Sequence, residues 1–133
     1  MPLTRRTLTL AGFALAIAAP GAPALAFGAA KPFDAKAFAA AQAAGQTILV
    51  EISAPWCPTC KVQKPILSRL GAKPEFAGFT FFEIDFDSQK EALRQMRAQS
   101  QSTLIVFKGK QEAGRSVGDT NPASIEALLK KGV

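Results

Sequence analysis

Two runs in this 133-residue chain restrict its fold more than any other feature. Thr47–Ser53 reads Thr-Ile-Leu-Val-Glu-Ile-Ser, and residues 103–107 read Thr-Leu-Ile-Val-Phe. Both are nearly continuous in apolar, β-branched residues, and only Glu51 interrupts the first. A strand with one wet face alternates apolar and polar side chains. A strand that is apolar at both parities must be covered on both faces of its sheet. This chain therefore needs helices on each side of a central sheet, and the intervening segments supply them.

Residues 33–44 carry apolar side chains at 33, 37, 38 and 41, with Asp34 in the first turn and Gly45 as a stop, which predicts an amphipathic helix. Residues 59–70 predict a second, with Val62, Ile66, Leu67 and Leu70 on its stripe and Gly71 at its end. Pro65 removes one hydrogen bond inside that helix and should kink it. Residues 79–87 alternate, with Phe82, Ile84 and Phe86 opposite Glu83, Asp85 and Asp87, as a strand does. Residues 88–99 form a polar helix with Leu93 and Met96 inward. Lys108, Gly109 and Lys110 turn the strand at 103–107 into another at 112–117, at hairpin spacing. Asn121 caps a closing helix that begins at Pro122. Parallel crossovers ending in a hairpin predict an α/β fold, a central mixed β-sheet flanked by helices on both faces.

The first 26 residues stand apart. Arg5 and Arg6 head the chain, residues 8–19 carry no charge, and Ala24-Leu25-Ala26 has the small-x-small pattern of a cleavage site. A basic head, a short apolar stretch and Ala-x-Ala make up a secretory signal peptide. Thr4-Arg5-Arg6-Thr7-Leu8 also resembles a twin-arginine export signal, and an uncleaved anchor is the alternative. The apolar run is well short of the roughly 20 residues of a membrane-spanning helix. Cleavage after Ala26 leaves one domain, residues 27–133, exported and periplasmic in a Gram-negative host. Losing Arg5 and Arg6 lowers the formal charge from +6 to +4. The remaining basic residues are dispersed and no basic, aromatic-interleaved stretch is present, so no nucleic-acid partner is expected.

The chain contains no histidine. That excludes a Ser-His-Asp triad, a Cys-His nucleophile pair, a His-ligated zinc and a His-held haem. Covalent or redox chemistry must run through the two cysteines, Cys57 and Cys60. They sit in Trp56-Cys57-Pro58-Thr59-Cys60-Lys61, where the buried strand feeds a helix. The unpaired N–H groups and positive dipole end of a helix N-terminus favour a thiolate at Cys57. Cys60 returns to the same face three residues on. An exposed first sulfur and a more sheltered second one suit a nucleophile and a resolving group. Cys57 would attack a partner disulfide, and Cys60 would expel the reduced partner from the mixed disulfide.

This constellation resembles the thioredoxin superfamily across most of residues 27–133. Pro65 falls eight residues after Cys57, the two buried runs match the family's central strands, and Gly118 with the closing helix completes the order. The Pro58-Thr59 pair is similar to that of exported reductases serving cytochrome c maturation. The helix and acidic strand are similar to the reductase domain of a transmembrane disulfide-bond reductase. The resemblance implies a thioredoxin-like fold, a redox-active Cys57–Cys60 disulfide and no separate cofactor or resident metal. It also implies substrate contacts at Trp56, Pro58, Gln101, Ser102 and Thr103, with Trp56 shielding the sulfurs.

Three positions depart from the family pattern. Glu51 stands where the family has a buried aspartate. Raised in pKa by burial, it would shuttle the Cys60 proton; the alternative is a solvent contact or a salt bridge. Glu83 replaces the basic residue that accompanies that aspartate, and if the strands bring the two carboxylates together their repulsion would raise the pKa of one of them. Ser102 replaces the family's cis-proline. A cis bond before a non-proline residue costs about 3–4 kcal/mol, so the Gln101–Ser102 peptide is expected to be trans. Its hydroxyl is then available to Cys57, or the replacement is neutral. Lys61 and Lys64 are expected on a solvent face, and Asp85 and Asp87 at a solvated strand end.

The expected function is an exported thiol–disulfide oxidoreductase that reduces protein disulfides. Its partners would be a disulfide-containing protein and a membrane or soluble thiol electron donor, and it would act as a monomer. The alternatives are a disulfide-forming oxidant or isomerase, and a metal or iron–sulfur module in which two copies pool their CxxC thiolates.

Overall fold

The computed structural model describes residues 27–133, so the expected signal peptide lies outside the described residues. The elements are β1 (Lys31–Pro32), α1 (Ala35–Ala43), β2 (Thr47–Ser53), α2 (Pro58–Gly71), a 3-10 turn (Pro74–Phe76), β3 (Thr80–Asp85), α3 (Lys90–Met96), β4 (Thr103–Lys108), β5 (Gln111–Val117) and α4 (Pro122–Lys130). The five strands form one mixed sheet in the order β1-β3-β2-β4-β5. β2 runs parallel to β3 and antiparallel to β4, and β4 and β5 form the expected hairpin.

Both central strands are covered on both faces, as their composition requires. Leu49, Phe81, Leu104 and Val106 point to one side and pack with Ile66, Leu67 and Leu70 of α2 and Ile125, Leu128 and Leu129 of α4. Ile48, Val50, Ile52, Phe82, Ile84 and Ile105 point to the other, against Phe38 and Ala41 of α1 and Leu93 and Met96 of α3. Side chains alternate along a strand, so Glu51 shares the parity of Leu49, and Glu83 that of Phe81. Both carboxylates therefore project toward the α2 face.

Several local expectations needed correction. Strand β3 ends at Asp85, two residues early, because Asp85 turns the chain by accepting from the backbone N–H groups of Asp87 and Ser88. The third helix is shorter than residues 88–99: Arg97 ends it in a left-handed conformation, φ 52°, with no glycine to signal the stop. Asp34 is the N-cap of α1 and not a first-turn residue, its Oδ2 accepting from the Ala37 N–H at 2.8 Å. On α2 the inward stripe includes Gln63, whereas Val62 is exposed. Strand β1 is an addition at the sheet edge, and two residues are too few to carry a periodic pattern.

Asn121 caps α4 as expected, accepting from Ala123 and Ser124. At the end of α2, Gly71 admits the Phe27 ring so closely that a Cβ there would lie 2.6 Å from it. Phe27 packs edge-on to Phe81 and donates its N–H to the Gly71 carbonyl, tying the start of the described chain to this helix.

Candidate active site

Cys57 and Cys60 form a disulfide, with Cα atoms 5.3 Å apart. Cys57 is the N-cap of α2 and Pro58 takes the first helical position, where its missing N–H costs nothing. The Cys60 N–H donates to Cys57 Sγ at 3.1 Å, so the sulfur itself satisfies one of the orphan donors of the helix N-terminus. The N–H of Cys57 donates to the Ala54 carbonyl, which brings the end of β2 straight into the helix cap.

The expectation of an exposed first sulfur is corrected: Cys57 and Cys60 are both fully buried. They cluster with Ala54 and Phe86, while Trp56 lies 54% exposed beside them. The indole packs edge-on against Phe86 and donates Nε1–H to Asp87 Oδ2 at 2.8 Å. Asp87 is thus a holding group for Trp56 and not simply a solvated strand end. Asp85 keeps its turn role, and hydrogen bonds from Ser88 hold its carboxyl below the ordinary range.

Across the cysteines lies Ser102, immediately before β4. The Gln101–Ser102 peptide is trans, and Ser102 has φ 61°, a left-handed conformation that proline, locked near −65°, does not adopt. Its N–H donates to the Ile52 carbonyl at 2.8 Å, and its own carbonyl accepts from the Gly118 N–H and from Gln63 Nε2. Its Oγ lies 3.1 Å from Cys57 Sγ and 3.4 Å from Cys60 Sγ. Gln63 also donates to the Asp119 carbonyl at 2.8 Å, joining this loop to the one before α4. The neighbouring Thr103 hydroxyl donates to the Ser100 carbonyl, and Gln101 is half-buried.

Beneath Cys60, one helical turn along α2, Lys64 is neither free nor simply solvated. Its ammonium bridges Glu83 and Glu51, the latter at 3.5 Å from Oε2. Glu51 is 1% exposed, and its Oε1 has no hydrogen-bond partner among the described residues. Glu51 is one of the residues lining a cavity of about 440 Å³, together with Phe27, Leu67, Phe81 and Glu83. Burial pushes the Glu51 carboxyl up to about 7; Lys64 opposes this and Glu83 reinforces it. Burial alone would lower the Lys64 pKa, but its hydrogen bond to Glu83 and the field of both carboxylates prevail and raise it.

Sequence reasoning found the cysteines, Glu51, Trp56 and Ser102 but missed Gln63, Lys64 and Asp87 as parts of the site. Gln63 carried a usable signal, a polar residue at a spacing that places it with Cys60, Leu67 and Leu70. Lys64 and Asp87 carried none, since their partners are distant in sequence.

Comparison with known proteins gives one consistent result. A family model described as Thioredoxin matches residues 29–131. Thioredoxin Asp f 29 of Aspergillus fumigatus is 35% identical over 98 residues, which cover 73% of this chain and 88% of that protein. The thioredoxin of Chlamydia trachomatis serovar D is 36% identical over 84 residues, covering 63% and 80%. Among solved structures, Trxlp from Edwardsiella tarda EIB202 has a TM-score of 0.73 at 42% identity, covering 76% of this chain and 98% of that one.

Proposed function

The chain belongs to the thioredoxin family and is a thiol–disulfide oxidoreductase, and from that premise we propose that it is an exported, monomeric protein-disulfide reductase. Residues 1–26 direct export and are removed after Ala26, which places the domain in the periplasm of a Gram-negative host. Electrons arrive from a membrane-bound or soluble thiol donor and leave to a disulfide-containing protein. Trp56, Pro58 and Gln101 form the accessible part of the site that receives the substrate, with the buried Ser102 and Thr103 behind them.

The Cys57 thiolate attacks one sulfur of the substrate disulfide, forming a mixed disulfide and releasing the other substrate sulfur as a thiolate that takes a proton from water. Cys60 then gives up its proton, with Glu51 as acceptor. A carboxyl held near 7 is matched to that transfer at neutral pH. The Cys60 thiolate attacks Cys57 Sγ, closing the Cys57–Cys60 bond and expelling the second substrate thiolate. Two electrons pass to the substrate, and the donor thiols restore the dithiol.

The observation that carries this reading is the Cys57 sulfur serving as the N-cap of α2 and accepting the Cys60 N–H. In the reduced protein that position stabilises the Cys57 thiolate that opens the exchange. The test is the reduction potential of the Cys57–Cys60 pair, measured by equilibration in redox buffers. A value at or below about −200 mV is expected, and one above about −150 mV would make the protein an oxidant and overturn the reading. Fractionation of a host expressing the full chain, with N-terminal sequencing, tests export and the cut after Ala26.

A further inference from the structure

Ser102 touches both reacting sulfurs and is anchored as a donor would have to be. It is 4% exposed, so its hydroxyl does not compete for water. Its backbone is held at both ends, by the N–H to Ile52 and by the two donors on its carbonyl. In the disulfide neither sulfur carries a hydrogen, so the Ser102 O–H must be the donor in any hydrogen bond to them. The two distances, 3.1 Å to Cys57 and 3.4 Å to Cys60, differ so little that rotation of the hydroxyl moves the bond from one sulfur to the other without moving the chain.

The two sulfurs are otherwise unequally supplied. Cys57 Sγ also accepts the Cys60 N–H and sits at the positive end of α2. Cys60 Sγ, inside the first turn, has Ser102 Oγ as its hydrogen-bond partner among the described residues. Yet Cys60 must also become a thiolate, in a fully buried position, before it can attack.

We propose that the Ser102 hydroxyl serves the two cysteines in turn, donating to the Cys57 thiolate for attack on the substrate and then to the Cys60 thiolate for resolution. This rests on the disulfide exchange described above and changes none of its balance: in each step one S–S bond forms and one breaks, and Ser102 keeps its proton throughout. Ser102 is thus a catalytic residue at a position that proline would leave without any donor.

The test uses the full chain carrying a single active-site thiol, Cys60→Ala or Cys57→Ala, with the thiolate followed by its ultraviolet absorbance against pH. Ser102→Ala removes only the hydroxyl. Ser102→Gly removes it on a residue at ease at φ 61°, which guards against a variant that fails to fold. A hydrogen bond to a charged group contributes about 1.5–3 kcal/mol, so each cysteine is expected to rise by about one pKa unit or more, a roughly tenfold loss of thiolate. The rise at Cys60 should be at least as large as that at Cys57. No shift at either sulfur, a shift at Cys57 alone, or opposite results for Ala and Gly would overturn the proposal. Turnover of a protein disulfide by wild-type protein with a dithiol donor is measured in parallel. Its absence would sink the reductase reading while leaving the two titrations to decide the role of Ser102.

Discussion

Glu51 stands directly opposite Glu83 in the parallel register of β2 and β3, and the Lys64 ammonium reaches both carboxylates from α2. Two acids on adjacent strands, on the same face, would repel each other. One cation from the helix above offsets that repulsion and contacts the buried acid only at 3.5 Å. Because burial outweighs the cation, Glu51 is left as a proton-holding group at neutral pH. The cation that the strand lacks at Glu83 is supplied from the helix, one turn below the resolving cysteine.

The Glu51 carboxyl makes stability depend on pH. Its pKa is raised from 4.5 to about 7 on folding, so between those values the native state binds more protons than the unfolded chain. Its stabilising contribution is complete below about 4.5 and is lost as pH rises through 7. Glu51→Gln should remove this dependence and make the protein more stable than wild type at pH 8, by up to about 3 kcal/mol. Denaturant unfolding of both proteins at pH 5 and pH 8 measures it, and an unchanged pH slope would contradict the assignment.

Lys64→Met removes the one group that lowers the Glu51 pKa. Glu51 should then titrate above 7, and the pH dependence of the resolving step should move to more alkaline values. The stability cost should stay within about 1 kcal/mol, since Lys64 is half-exposed. A stopped-flow pH profile of mixed-disulfide resolution checks the shift.

Ser102→Pro should destabilise the protein, by about 3 kcal/mol. Proline cannot take φ 61° and has no N–H for the Ile52 carbonyl. Equilibrium unfolding that finds the variant as stable as wild type would show that the left-handed turn at this position is dispensable.

Asp87→Ala should release the indole of Trp56, the sole tryptophan of the chain. The partner is exposed, so stability should change by less than about 1 kcal/mol. The fluorescence anisotropy of Trp56 should fall, and alkylation of Cys57 in the reduced protein should quicken as its cover loosens. Unchanged anisotropy would mean that Phe86 alone fixes the ring.

The layered architecture was legible because it follows from composition at each parity. Residues such as Ile48, Leu49 and Val50 in succession can satisfy only a strand covered on both sides, and the adjacent pair Asn121 and Pro122 marks a helix start. The ends of β3 and α3 were not legible. Arg97 adopts a left-handed conformation and Asp85 captures two N–H groups, and neither residue type announces that behaviour. Nor did the rotation of α2 follow from its apolar residues: Val62 turns outward while Gln63 turns in to bind two carbonyls. The apolar stripe is satisfied by Ile66, Leu67 and Leu70 either way.

By itself the sequence determined which of the longer segments are strands and helices, that the central strands are buried on both faces, and that two thiols sit at the N-terminus of a helix. Those properties depend on side chains a few residues apart, whose pattern is complete in the linear chain. The tertiary structure alone decided that Glu51 meets Glu83, that Lys64 bridges them, that Asp87 holds Trp56 and that the Ser102 hydroxyl reaches both sulfurs. Each of these is a contact between separate elements, set by strand register and helix rotation, and Ser102 reaches Cys57 across 45 positions of chain. Such contacts are selected by the packing of the whole core, and no local propensity encodes them.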